Sequence, residues 1–175
     1  MPHRVALALS CACLLSLLIG CGGGSGLDVE EGRYRLYVTG NLADTLTGPA
    51  IVRPQQNGHV GFELGARDGP GLSIELKPRP HRGTTMSPLQ VSPGRYDVVA
   101  ASLLDGPSAD SLSGILAFLS LSDFQFTATR GHLSVQHAGE GRVGGRIDLE
   151  MAERESDTPG ERTVRVTGVL RATTP

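Results

Sequence analysis

Hydrophobic and polar residues alternate along most of the chain that follows residue 32. Between Arg33 and Thr39, the alternation places Tyr34, Leu36 and Val38 on one face and polar or charged side chains on the other. Successive side chains of a β-strand point to opposite faces, so this pattern predicts a strand with one buried face. Further alternating runs are found at 59–64, 72–77, 96–100, 124–128 and 133–135.

Turn-forming residues separate these runs. The chain has 24 glycines and 11 prolines, which form turn sequences such as Asp68-Gly69-Pro70-Gly71 and Asp105-Gly106-Pro107. Many short strands divided by such turns are typical of a sandwich or a barrel. We predict an all-β fold, an antiparallel two-layer sandwich of the jelly-roll type with roughly eight to ten short strands.

The alternation of apolar and polar residues in the C-terminal third of the chain predicts an antiparallel meander of three strands. Inward positions are odd-numbered in one strand, at Ile147, Leu149 and Met151, and even-numbered in the next, at Val164 and Val166. Directly opposed residues share a face, so their numbers must add to an odd sum. With a turn near residue 157, the predicted sum is about 313 or 315. Arg165 should then face Asp148 or Glu150 on the outer surface.

The segment 108–121 is open to two interpretations. Leu112, Ile115, Leu116 and Leu119 fit helical spacing, and we favour a short helix or an irregular segment here. Residues 115–121 would equally suit a strand that is buried on both faces.

The N-terminal segment has the anatomy of a secretory signal. A charged start is followed by an apolar run from Val5 to Ile19. As a helix this run would span roughly 22 Å, which is too short for a hydrocarbon core of about 30 Å. The sequence therefore predicts a signal peptide over residues 1–20.

The end of this run, Leu18-Ile19-Gly20-Cys21, resembles the lipobox of bacterial lipoproteins. The resemblance implies cleavage before Cys21 and acylation of its sulfur and its amino group by chains such as palmitate, so that the membrane is a partner through the lipid anchor. Gly22 stands where many inner-membrane lipoproteins have aspartate, so the cell envelope, and its outer rather than its inner membrane, is the expected location. Residues 21–32 are predicted to be a flexible Gly-rich tether and residues 33–175 a single domain.

The rest of the chain resembles a group of bacterial lipoproteins of unknown function with a β-sandwich of similar length. The resemblance rests on Tyr-Val-Thr-Gly at 37–40, Gly-Pro-Ala at 48–50, Pro-Gly-Arg-Tyr at 93–96 and the strand patterns after residue 131. These motifs imply a fold rather than an activity. Pro-Gly-Arg-Tyr is also similar to the small β-sandwiches appended to carboxypeptidases and surface proteins.

Composition and motifs narrow the classes of function. The formal net charge of −2 argues against a nucleic-acid partner. Residues after Cys21 include no cysteine, and no nucleophile elbow or zinc-ligand spacing occurs, so we expect no catalytic residues, no metal and no cofactor. His132 and His137 should point to opposite faces of a strand. Asp148 and Glu150 share a face that arginines flank, which favours cross-strand ion pairs over an acid–base pair.

Two features remain as candidate binding residues. Lys77, Arg79, His81 and Arg82 lie in a proline-rich segment that would suit an anionic ligand or a partner's acidic patch. Tyr37 lies beside Arg33 and Arg35 and could stack on a sugar, although we favour a half-covered position at the edge of a sheet.

We therefore expect a non-enzymatic envelope lipoprotein that binds a protein or glycan partner or has a structural role. The alternatives are a carrier with a cavity in the sandwich and, last, a hydrolase.

Overall fold

The computed structural model describes residues 27–55, 58–66, 69–78, 89–99, 113–154 and 162–175. None of these residues forms a helix that is long and apolar enough to cross a membrane. They form nine β-strands: β1 (Arg33–Gly40), β2 (Asp44–Pro54), β3 (Val60–Gly65), β4 (Gly71–Lys77), β5 (Gly94–Asp97), β6 (Gly114–Leu121), β7 (Phe124–Gly139), β8 (Arg142–Glu153) and β9 (Thr163–Thr173).

The strands close into a barrel. Eight of them form an antiparallel ring in the order β7-β6-β4-β3-β2-β1-β9-β8, and pairing of β7 with β8 closes it. The short strand β5 is the ninth and pairs with β7 over residues 132–135, beyond the part of β7 that pairs with β6. The all-β prediction is confirmed, but the two-layer sandwich is wrong.

The physical reason lies in β7. Alternation of polar and apolar residues shows that a strand has one buried face, but a barrel and a sandwich both satisfy it. At 16 residues, β7 is long enough to pair with β6 near its start and with β8 along most of its length. Two register shifts, near Thr129 and Gln136, bend the strand at β-bulges. Together with the long-range pairing of β1 with β9, which joins residues 33–40 to residues 164–171, these pairings of β7 decide closure.

The inward faces are those that alternation predicts, and they fill the barrel. Eight-stranded barrels have an interior just wide enough for side chains to fill. Its largest fully buried side chains are Tyr96, Phe62, Phe126, Leu36, Leu72, Ile74, Leu76, Ile115, Leu119, Leu133, Leu149 and Met151.

The predicted meander and its register are confirmed. β7, β8 and β9 are consecutive antiparallel neighbours. Leu149 faces Val166 and Met151 faces Val164, so opposed numbers in β8 and β9 add to 315. Arg165 faces Glu150 directly and bonds Asp148 on the diagonal.

The ambiguous segment is a strand where the structure describes it. Residues 114–121 form β6, so the favoured helix is wrong there, while residues 108–112 lie outside the described residues. Ile115, Ala117, Leu119 and Leu121 are buried in the barrel, and Leu116 and Phe118 are half-buried on the other side. Apolar residues on both faces obscure the strand period, which explains why helical spacing also matched.

Residues 27–32, which the sequence interpretation places in the tether, lie against the barrel. The Leu27 side chain is buried. The Gly32 amide donates to the Arg171 carbonyl at 2.7 Å, and the Ala50 amide donates to the Gly32 carbonyl at 2.7 Å. Glu31 forms ion pairs with Arg142 at 3.0 Å and with Arg171 at 3.7 Å. The predicted signal peptide and Cys21 lie outside the described residues.

Candidate functional site

Polar side chains on the outer face of the barrel line up in rows across β1, β9, β8 and β7. Tyr37 pairs with Thr167, Thr167 with Asp148, and Asp148 with His132. Directly opposed residues share a face, so these four side chains form one row across four strands. Because Leu36, Val166, Leu149 and Leu133 fill the interior, the row faces outward.

A second row runs beside the first. Arg35 pairs with Val169, Val169 with Arg146, and Arg146 with Ser134. A cavity of about 530 Å³ lies over the two rows and is lined by Asp28, Arg35, Tyr37, His132, Ser134, Arg146, Ile147, Asp148, Thr167, Gly168 and Val169. We call it the outer groove.

Tyr37 is the exposed aromatic residue of this groove. Its side chain is 46% exposed, and it is the large hydrophobic residue that the described part of the chain leaves exposed. An exposed tyrosine presents an apolar ring and a hydroxyl to a ligand. The prediction that Tyr37 lies beside Arg33 and Arg35 on an outer face is confirmed by the register of β1, while its role in binding stays a prediction.

Asp148 is held by an arginine across the strands. Arg165 donates from Nε to Oδ1 at 3.0 Å and from Nη2 to Oδ2 at 2.9 Å. These hydrogen bonds lower the pKa of Asp148 below its ordinary value, partial burial opposes the shift, and the positive charges of Arg165 and Arg95 lower the pKa further. The carboxylate is therefore ionised and paired, which suits an ion-pair anchor better than an acid–base catalyst.

Arg35 is held much more weakly. Its Nη1 lies 3.6 Å from Oδ2 of Asp28, whose side chain is fully exposed. A second cavity of about 760 Å³ lies on the other side of Arg35 and is lined by Leu27, Asp28, Val29, Glu30, Arg33, Tyr34, Arg35, Thr47, Gly48 and Arg171. The two cavities share Arg35 and Asp28, so together they follow β1 from Tyr37 to Arg33.

The structure does not bring the two predicted candidate sites together. Lys77 ends β4, and β2 and β3 separate that strand from β1, which carries Tyr37. Arg79, His81 and Arg82 lie outside the described residues, as does Cys21. The predicted anion-binding segment therefore stays a prediction.

The two histidines of β7 lie on the same face of the sheet, so the expectation that they face opposite ways is wrong. His132 pairs with Asp148, but after the bulge at Gln136 His137 pairs with Gly144. The extra residue of the bulge changes which positions point outward. Within the described ranges, no group of three or more histidine, cysteine, aspartate or glutamate residues is placed to hold a metal ion.

A second polar pair lies at the end of β3. His59 is 7% exposed, and its Nδ1 lies 2.5 Å from Oε1 of Glu75 on β4. The His59 carbonyl accepts a hydrogen bond from the Gln55 amide at 2.8 Å. The contact with Glu75 gives the buried His59 ring a hydrogen-bond partner and links the start of β3 to β4. This is a structural role.

Sequence reasoning missed the grouping of the groove residues. The β8–β9 register already predicted the contact between Asp148 and Arg165. Adding Tyr37 and His132 to that pair requires the β1–β9 and β7–β8 pairings. The inward positions of β1 and β9 are even-numbered in both strands, which restricts how the two strands could pair. However, no local pattern in the sequence indicates that β1 and β9 are neighbours.

No protein-family model, curated protein or solved structure matches this chain. The candidate site therefore rests on its own geometry.

Proposed function

We propose that this chain is an envelope lipoprotein whose barrel is a non-enzymatic binding module displayed at a membrane surface. The observation that carries the proposal is the outer groove, where an exposed tyrosine lies among arginines, hydroxyls and a paired carboxylate. Such a mixture of an aromatic ring and a few polar groups is typical of recognition sites. The lipobox at 18–21 supports the membrane location.

The packing of the barrel favours a binding site on its outer surface over a ligand cavity in its interior. A carrier would need a sizeable internal cavity, whereas inward positions of the described strands carry large, fully buried apolar side chains. Three cavities lie among the described residues, including one of about 310 Å³ near His137 and Arg142, and each is lined in part by residues of the segment 27–31, which lies against the outside of the barrel.

Membrane display is tested by mass spectrometry of the full-length protein purified from a bacterial envelope. We expect a mature N-terminus at Cys21 that carries acyl chains on its sulfur and its amino group. Replacing Cys21 with serine should abolish the acylation, because serine has no sulfur to carry the lipid, and with it the cleavage before residue 21. A mature protein that retains Met1 would contradict this part of the proposal.

Binding is tested by co-sedimentation of the detergent-solubilised full-length protein with insoluble envelope polysaccharide. We expect Tyr37→Ala to reduce the bound fraction about tenfold, because stacking on the ring is lost, and Tyr37→Phe to retain most of it. Arg53→Ala is a matched control, since Arg53 lies outside the groove and forms an ion pair with Glu63 on β3. Equal binding by Tyr37→Ala and the wild type would contradict the outer groove as the binding site.

A further inference from the structure

Arg35 and Tyr37 are placed to act together on one ligand. They are two residues apart on β1 and share its outer face. The strand rise separates them by roughly 6.6 Å, so one ligand can contact both side chains. Both side chains line the outer groove, with the hydroxyl of Thr167 beside Tyr37 and that of Ser134 in the row of Arg35.

The charges along the two cavities favour an anion. Four arginines line them, against three carboxylates. One group of each sign already has a partner that does not line the two cavities: Asp148 is bonded twice by Arg165, and Arg171 forms an ion pair with Glu31, so an excess of one arginine over the carboxylates remains. The arginines of the two cavities are Arg33, Arg35, Arg146 and Arg171.

Asp28 holds Arg35 in a way that a ligand can replace. The ion pair is long, at 3.6 Å, and its side chains are 43% and 102% exposed. Exposed pairs of this kind contribute little to stability, so exchanging one carboxylate for another costs little. The Asp148–Arg165 pair, with two hydrogen bonds at 2.9 and 3.0 Å, shows the geometry that a better-placed carboxylate can reach with an arginine on this same face.

We propose that the outer groove binds an acidic saccharide, whose ring stacks on Tyr37 and whose carboxylate takes the place of Asp28 on Arg35. The guanidinium is planar and binds a carboxylate through two parallel hydrogen bonds, which a neutral sugar cannot accept in the same way. Asp28 is then an internal competitor that occupies Arg35 in the free protein. This inference rests on the proposed function and names the ligand class of the same site.

The test measures binding of trigalacturonic acid and of its methyl ester to the full-length protein by titration calorimetry, in a detergent without a sugar headgroup. We expect the acid to bind at least about tenfold more tightly than the ester. Arg35→Ala should weaken binding of the acid about tenfold and leave the ester unchanged. Tyr37→Ala should weaken both ligands, and Arg53→Ala should weaken neither.

Asp28→Asn distinguishes competition from a merely structural role. Removing the competing carboxylate should tighten binding of the acid severalfold without changing binding of the ester. A loss of affinity in this variant, with an unchanged circular dichroism spectrum, would overturn the assignment of Asp28.

The outcomes separate this inference from the proposed function. If the acid and the ester bind equally, or if neither binds while the protein still sediments with envelope polysaccharide through Tyr37, the acidic specificity is wrong and the binding module stands. If the protein binds an envelope protein and no polysaccharide, the saccharide assignment is wrong. If Tyr37→Ala also leaves sedimentation unchanged, the groove itself is wrong.

Discussion

At the scale of single residues, one glycine lets two strands approach closely. Gly131 of β7 has a φ of +117°, and a methyl group there would overlap the carbonyl oxygen of Asp148 on β8. Residues other than glycine rarely adopt this backbone conformation. Gly131 therefore supports the pairing that closes the barrel and also positions Asp148 in the outer groove.

We expect Gly131→Ala to destabilise the protein by about 1–3 kcal/mol, through overlap with the β8 backbone and the unfavourable φ. Urea unfolding followed by circular dichroism measures this. Gly69→Ala is the matched control, because the nearest atom to an added methyl there is Ala66 Cβ at 3.6 Å, an ordinary contact. An equal effect of the two substitutions would contradict the assigned role of Gly131.

The Asp148–Arg165 pair links stability to pH with a defined sign. Arg165 lowers the pKa of Asp148 in the folded protein below its ordinary value of 3.8. A carboxyl whose pKa is lowered by folding stabilises the native state above its unfolded pKa, and the contribution is lost as the pH falls through the folded pKa. The effect is modest because both side chains are exposed.

We therefore expect Asp148→Asn to lower the urea midpoint slightly at pH 7, and this difference from the wild type to shrink progressively as the pH falls below about 4. Arg165→Ala should show the same dependence, since it removes the other partner. Urea titrations of all three proteins at several pH values measure it. A difference that grows as the pH falls would contradict the sign.

At the scale of elements, the β8–β9 hairpin has its two faces sharply separated. Val166 is fully buried in the barrel, whereas Arg165 is on the outer surface. Val169, on the same strand, lies on the outer face between Arg35 and Arg146. The effect of a substitution in β9 on stability should therefore depend on whether the residue faces the interior or the outer surface, and not on its position along the strand.

We expect Val166→Asp to destabilise the barrel by at least about 3 kcal/mol, because it buries a charge with no partner. Val169→Asp is the matched control on the outer face, and it should be tolerated because two arginines flank the site. Arg165→Ala should also change stability only slightly. Denaturant unfolding of the variants measures these changes in stability. If Arg165→Ala were severely destabilising and Val166→Asp were tolerated, the assignment of the inward and outward faces of β9 would be wrong.

At the scale of the whole molecule, closure removes the free edges that a sandwich would have. β7 and β8 are the strands whose pairing completes the ring, and 12 residue pairs join them. In an open sandwich, edge strands present unpaired amides to solvent. In the barrel, the facing backbones of β7 and β8 are paired with each other.

Hydrogen exchange followed by mass spectrometry tests closure. We expect segments 131–135 and 145–149 to exchange as slowly as segment 34–38, which lies between two neighbours in the ring. Segment 28–30, in which Asp28 and Glu30 are exposed, should exchange faster and serves as an internal reference. Rapid exchange in either 131–135 or 145–149 would indicate an open sheet.

Closure also assembles the outer groove. Its residues come from β1, β9, β8 and β7, together with Asp28 from the segment that precedes the barrel. In sequence, Tyr37 and Asp148 belong to opposite ends of the domain. They lie in one row because β9 lies between β1 and β8.

Sequence by itself determined the features that depend on neighbouring residues. Alternation was enough to identify the inward faces, the exposure of Tyr37 and the β8–β9 register, because each depends on the two-residue period of a strand and on one short connection. Apolar residues on both faces of β6 defeated the same reasoning, since no period remained to distinguish a strand from a helix.

Only the tertiary structure decided closure, the bulge at Gln136 and the composition of the outer groove. Whether a sheet curls into a ring depends on the summed twist and coiling of all its strands and on pairings between distant segments, which no local pattern contains. The bulge reverses the outward parity of β7 and so brings His137 to the same face as His132. For the same reason, Tyr37, Arg35 and Asp148 were visible one by one in the sequence, but their meeting in one groove follows from the order of strands in the barrel.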